Sequence, residues 1–354
     1  MHRAQVALAL TLATGAAACT ETELLAQAAG TERACDGPRE VVLTLGSGSN
    51  LLDLVPRSEG FGIFLRSDQT LTLAELGLDA RLEFGPAPLD PGRFNDLEGL
   101  WLEDGGYQLT FMRRLDAQAR VFSARIDPAP MRGVVDLTQA VDATENRGYE
   151  TPKIAAAEGA PPWLAWRVAR AIGVGRLVDG RATDIALLET DAIPTPLAIV
   201  PAAATAWVLV DEGENIRLEQ FGSGAHLQTQ RFGEADHAAF IDGNPPLLAL
   251  AADGELELVR LQADFTREAT VTRITTGPIR ELQLDQHGTD PPVLAWQLEA
   301  GDVELFFVGA SPMPLGAANL RAESDVALEA VAGGAVVGFE VDNPSRVVTQ
   351  RVCR

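Results

Sequence analysis

Lysine is all but missing from this sequence: Lys153 is the only one, and arginine supplies the rest of the 28 basic residues. We read that bias as genome composition and not as chemistry. Against 50 acids it leaves a formal net charge of −22. A chain this short of positive charge is not built to neutralise phosphates, so nucleic acid is excluded as a partner. Histidine is nearly as scarce. His2, His226, His237 and His287 form no H-x-H, H-E-x-x-H or Cys/His cluster, so no metal site is assigned. No motif implies a cofactor. No G-x-S-x-G is present, and Gly46-Ser47-Gly48-Ser49 lacks both the context of a nucleophile elbow and the G-K-[ST] that completes a P-loop. No catalytic residue is assigned. Long apolar runs are absent too. Residues 195–210 come nearest to the roughly 20 that a spanning helix needs, and Pro196 and Pro201 interrupt them.

What is present begins with an address. Residues 1–18 have the form of a secretion signal: Arg3, an apolar stretch over 4–13, then Gly15, Ala16, Ala17 and Ala18 before Cys19. A small-residue cleavage site followed directly by cysteine resembles the lipobox of bacterial lipoproteins. The match covers residues 16–19 and departs at the third position before the cysteine, where leucine is usual and this chain has Ala16. The resemblance implies a lipid on Cys19, a flexible tether over 19–38, and anchoring at the envelope of a Gram-negative bacterium, in the periplasm or at the cell surface. An ordinary A-x-A site with Cys19 incidental is the other reading. Three cysteines in an exported chain leave one odd. With Cys19 acylated, Cys35 and Cys353 remain, and an oxidising compartment lets them form a disulfide that staples the two ends. Two unpaired thiols are the alternative.

From residue 39 onward the apolar pattern is mostly period two, the mark of half-buried strands, as in Glu255-Leu256-Glu257-Leu258. Residues 137–158 are the one place where a short helix is expected. A theme recurs: an apolar strand, a glycine-containing turn, then an alternating strand. It is clearest at 245–261 and 291–309. Taking one glycine per turn gives Gly60, Gly105, Gly173, Gly213, Gly254, Gly301 and Gly333. Most of these are spaced by about 40–50 residues, the length of a four-stranded propeller blade. The stretch from Cys35 to Gly60 and the chain after Gly333 together supply about one further repeat. The expected fold over 39–354 is therefore an all-β propeller of seven blades, with six to eight in range, closed by N- and C-terminal strands. Two β-sandwich domains are the alternative. There is no WD dipeptide, kelch-type double-glycine run or D-x-D-x-D-G loop, so the resemblance is to bacterial propeller-type lipoproteins in general.

Function is less legible. With 50 acids, carboxylate pairs arise by chance and single out no glycosidase site. Trp101, Trp166, Trp207 and Trp296 each stand just ahead of a repeat glycine and read as blade packing, which leaves Trp163 and Tyr149 as unexplained aromatics. The segment Asp285-Gln286-His287-Gly288-Thr289-Asp290 offers oxygens to a hard cation but reads first as a solvated turn. The interval from Gly105 to Gly173 is too long by about half a blade. Loops inserted in rigid scaffolds concentrate function, so Glu145, Asn146, Arg147, Tyr149 and Lys153 are the candidate binding loop. The reading is a binding or scaffolding module held at the membrane by a lipid anchor, with a protein or glycan partner. An enzyme acting on carbohydrate or another extracellular polymer is the alternative.

Overall fold

A computed structural model describes residues 40–44, 50–67, 70–91, 95–115, 118–127, 133–141, 152–213, 215–309, 313–315, 326–341 and 346–353. They form seven four-stranded antiparallel sheets. Counting strands A to D outward, blade 1 is Asn50–Arg57, Gly60–Ser67, Thr70–Gly77 and Leu82–Pro91, and blade 2 is Asn95–Trp101, Tyr107–Leu115, Gln118–Ile126 and Val134–Gln139. Blade 3 is Lys153–Ala155, Trp163–Val168, Ala171–Val178 and Arg181–Glu189, and blade 4 is Thr195–Pro201, Ala206–Asp211, Ile216–Gly222 and Ala225–Gly233. Blade 5 is His237–Ile241, Leu247–Ala252, Glu255–Leu261 and Arg267–Thr275, and blade 6 is Ile279–Asp285, Val293–Leu298, Val303–Phe307 and Met313–Leu315. Blade 7 takes its inner strands, Val326–Val331, Gly334–Val341 and Arg346–Cys353, from the C-terminal end, and its outer strand, Glu40–Thr44, from the N-terminal end. Glu40 pairs with Gln350 and Thr44 with Arg346. Each strand A touches the strand A of the next blade, and blade 7 returns to blade 1, so the ring is closed. The structure is a seven-bladed β-propeller.

The sheets stack face to face around the axis, and that decides the residue pattern. Strand B of blade 3, Trp163–Val168, buries Trp163 and Ala165 against blade 4 and Leu164 and Trp166 against blade 2. A strand covered on both faces reads as a continuous apolar run. The outer strands Arg181–Glu189 and Ala225–Gly233 are mostly exposed and mostly polar. Among the described residues the core divides into seven hydrophobic clusters, one at each junction between blades. Each fully buried Leu, Ile or Phe contributes about 1.5–3 kcal/mol, so adhesion between sheets holds the ring together.

Two expectations are corrected. Among the described residues of 137–158 there is no helix: Val134–Gln139 and Lys153–Ala155 are strands. The repeat glycines are also not equivalent. Gly60, Gly105 and Gly333 sit in A–B turns, and Gly213, Gly254 and Gly301 in B–C turns, while Gly173 lies inside a strand. The turn of blade 3 is at Ala169 and Arg170. This change of hairpin accounts for part of the long interval after Gly105. A longer link between Gln139 and Lys153 accounts for the rest.

Candidate functional site

The seven A strands line the central channel, and five of them carry a charged residue into one cluster. Asp53 of blade 1, Glu98 of blade 2, Lys153 of blade 3, Glu281 and Asp285 of blade 6 and Glu329 of blade 7 interact electrostatically with one another. Lys153 is therefore a wall residue of the channel and not part of an exposed loop. Its Nζ lies 2.6 Å from Glu98 Oε2, with the two side chains 23% and 22% exposed, so water reaches the pair. Glu145, Asn146, Arg147 and Tyr149 lie outside the described residues.

Most of these acids also tie one blade to the next. Asp53 Oδ2 accepts from the Gly99 N–H at 2.6 Å, and Glu98 Oε1 from the Ile154 N–H at 3.0 Å. On the other side of the ring, Glu281 Oε2 accepts from the Val326 N–H at 2.9 Å and Asp285 Oδ2 from the Ala330 N–H at 2.5 Å. A carboxylate accepting a backbone N–H satisfies a donor that a wall strand would leave open. Glu329 differs, since it has no hydrogen bond or ion pair among the described residues.

Proton affinities follow the crowding. Burial, helped by repulsion from Glu98, pushes Asp53 up to about 7, against the pull of the Gly99 N–H and Lys153. Burial raises Glu329 well above the usual carboxylate range, and Asp285 and Asp53 raise it further. Asp285 is raised by burial, with the Ala330 and Gln286 N–H groups opposing. Burial works to lower the Lys153 ammonium, but Glu98, Asp53 and Glu281 more than offset it, so the group ends above its ordinary value. A carboxyl that exchanges its proton near neutrality beside a fixed cation can bind charge or move a proton.

A second concavity, of about 550 Å³, opens between blades 5 and 6 and is lined by Asp236, His237, Asp253, Gly254, Gly277 and Glu299, among others. Its wall is the B–C turn of blade 5, where Asp253 and Gly254 both have positive φ, 53° and 75°. That geometry gives a tight hairpin and favours glycine at the second position.

The remaining sequence candidates are structural. Trp163 is buried, its Nε1 donates to the Ala202 carbonyl at 3.0 Å, and the Arg176 guanidinium covers its ring at 3.8 Å. It joins blades 3 and 4 and offers no face to a sugar. Asp285 and Asp290 both accept N–H groups from blade 7, at Ala330 and Gly333. No group of three His, Cys, Asp or Glu suited to a metal occurs among the described residues. Cys353 ends strand C of blade 7, opposite Gly334, while Cys19 and Cys35 lie outside the described residues. The channel acids were missed from sequence. Their signal is an acid flanked by apolar residues on an inner strand, as in NLLDLVPR and VALEAV.

No family model matches the chain, and no curated protein matches it. Solved structures do match in shape. Virginiamycin B lyase from Staphylococcus aureus superposes with a TM-score of 0.57 at 12% identity, over 89% of this chain and 100% of that one. The WD40 domain of coronin from Toxoplasma gondii gives 0.54 at 11% identity, over 90% and 87%. At such identities the likeness is one of fold, and an enzyme and a WD40 domain stand side by side among the neighbours.

Proposed function

We propose that this chain is an exported, lipid-anchored propeller of the Gram-negative cell envelope, working as a binding or scaffolding module with a protein or glycan partner. The observation that carries the reading is the charged channel. It lies at the centre of a closed ring, most of its acids are held by neighbouring blades, and among the described residues it shows no nucleophile paired with a base. Such a site recognises charge without needing to transform what it holds. The lipid on Cys19 concentrates the ring at a membrane, and residues 19–38 give it reach.

In-cell crosslinking and pull-down of the native chain beside a Cys19→Ala variant tests this. A defined partner recovered with the anchored form and lost with the variant supports it. Recovery of nothing with either form overturns the scaffolding role. The second reading is an enzyme acting on carbohydrate or another extracellular polymer, and Asp53 favours it, as a carboxyl near 7 beside the Lys153–Glu98 pair. Turnover of a glycan by the native chain that is lost in Asp53→Asn would establish that reading instead.

A further inference from the structure

The point where the chain enters the ring adjoins an exposed apolar hairpin. Glu40 opens the outer strand of blade 7 opposite Gln350. The residue after Gln350, Arg351, reaches into blade 1: its Nη1 donates to the Leu78 carbonyl at 3.1 Å and its Nη2 to the Ala332 carbonyl at 3.3 Å. Leu78 stands in the C–D turn of blade 1, and the outer strand Leu82–Pro91 follows at once. Leu78, Leu82 and Phe84 of this hairpin are 50%, 40% and 36% exposed. Pro86 and Pro88 of the same strand are exposed as well. Proline offers no N–H, so this edge invites no further strand from another chain, and it leaves fewer donors unanswered against an apolar phase. In a chain of net charge −22 the charges here are paired, Arg57 with Glu83 and Arg81 with Asp79.

We infer that Leu78, Leu82 and Phe84 form the face by which the ring rests on the lipid surface that holds its anchor. This inference rests on the lipid-anchor reading and adds how the anchored ring is turned. What selects the occupant is the place where the chain joins the ring. Cys19 precedes Glu40 by about twenty residues, and a flexible linker of that length spans on the order of 25 Å. The corner of blades 7 and 1 is therefore the part of the ring kept nearest the acyl chains. Apolar side chains there bury themselves at the boundary of headgroups and acyl chains, a second contact that adds to the hold of the lipid. Arg81, with its side chain 60% exposed, lays its stem along the apolar surface and turns its guanidinium to the phosphates. Ile185 and Leu187 on the outer strand of blade 3 are also exposed, but that strand lies two blades further round the ring from the entry point.

The test is amide hydrogen exchange, read by mass spectrometry, on vesicles of phosphatidylethanolamine and phosphatidylglycerol. One arm carries the full chain expressed with its signal, and the mass of the peptide bearing Cys19 is read in the same experiment. The other carries the chain from Thr20, held by an N-terminal hexahistidine tag on the same vesicles doped with a nickel-chelating lipid. Exchange over 77–85 is expected to slow by about threefold or more on vesicles relative to the chain free in solution, while 183–188 on blade 3 stays unchanged. Leu82→Asp/Phe84→Asp, at two exposed positions, should abolish the slowing and melt with the native chain, and Ile185→Asp/Leu187→Asp should keep it. No slowing in either arm overturns the inference, and a lipid found on Cys19 then leaves the anchor standing. An unmodified Cys19 beside slowed exchange in the tagged arm removes the anchor and supports the face. Slowing at 183–188 equal to that at 77–85, or slowing that survives Leu82→Asp/Phe84→Asp, overturns the inference.

Discussion

Lys153 and Glu98 meet at 2.6 Å across the junction of blades 2 and 3, and the same Glu98 accepts the backbone N–H of Ile154. One carboxylate thus ties the only lysine of the chain and the strand that carries it to the preceding blade. Removing the cation should leave Glu98 and Asp53 facing each other in a wall that water reaches only in part. Lys153→Met is expected to cost about 2–4 kcal/mol by urea unfolding at pH 7. The double variant Lys153→Met/Glu98→Gln should cost less than the two single changes added together. Additivity within about 0.5 kcal/mol would mean that the pair is not coupled.

Acidity should stabilise this protein, within limits. Asp53 goes from its ordinary 3.8 to about 7 on folding, so the folded ring holds that proton more tightly than the unfolded chain. Below about pH 4 both states are protonated and nothing is lost. Between 4 and 7 the unfolded state ionises first, and stability falls by up to about 4 kcal/mol, the cost of a three-unit shift. Glu329 and Asp285, raised in the same sense, add to the fall. Lys153, raised above its usual value, keeps its contribution until well above this window. Chemical unfolding at pH 5 and pH 8 should show the higher stability at pH 5, and Asp53→Asn should flatten the difference. A stability that rises from pH 5 to pH 8 would contradict the channel electrostatics.

Trp166 lies flat over Gly173. A Cβ added at Gly173 would come 2.5 Å from the indole Cε2 and Cζ2. Gly173→Ala should therefore cost about 1–3 kcal/mol through overpacking, and Gly173→Ala/Trp166→Leu should recover part of that loss in thermal melts. If Gly173→Ala melts with the native chain, the contact is looser than drawn.

Closure of the ring depends on Glu40–Thr44 pairing with Arg346–Cys353. Removal of residues 1–44 should lower the melting midpoint by on the order of 5 °C relative to removal of 1–38. Cys353 lies three residues beyond Gln350, the partner of Glu40, and Cys35 lies five residues before Glu40. A disulfide between them would lock this blade. Mass spectrometry of the oxidised, alkylated chain should find the two thiols unavailable, and free thiols at both positions would dismiss the bridge.

Much of the architecture could be read beforehand because the hairpins are local. Alternating strands and acidic glycine turns such as Asp253-Gly254 identify themselves within about ten residues. The equivalence of those turns could not be read. Strands B and C are buried on both faces, so an A–B hairpin at Gly60 and a B–C hairpin at Gly254 look alike in one dimension. The true repeat is cleaner: Lys153, Thr195, His237 and Ile279 each open a strand A, at constant spacing. The tryptophans suffered from the same ambiguity, since Trp101 ends a strand A while Trp166, Trp207 and Trp296 lie in strands B. The channel acids stayed hidden for a different reason. They come from four blades spread over most of the chain, and only the closed ring brings Asp53 to Glu329.

The outermost strand of blade 7 is the earliest described strand in the sequence, and its neighbour in the sheet is the last. Glu40–Thr44 must therefore wait, with its backbone edge unanswered, until Arg346–Gln350 is available to pair with it. A nascent chain halted before position 346 cannot complete the circle, and the blades already made would expose the edge and face that blade 7 covers. The order of strands makes the arrival of Arg346–Cys353 the step that closes the ring.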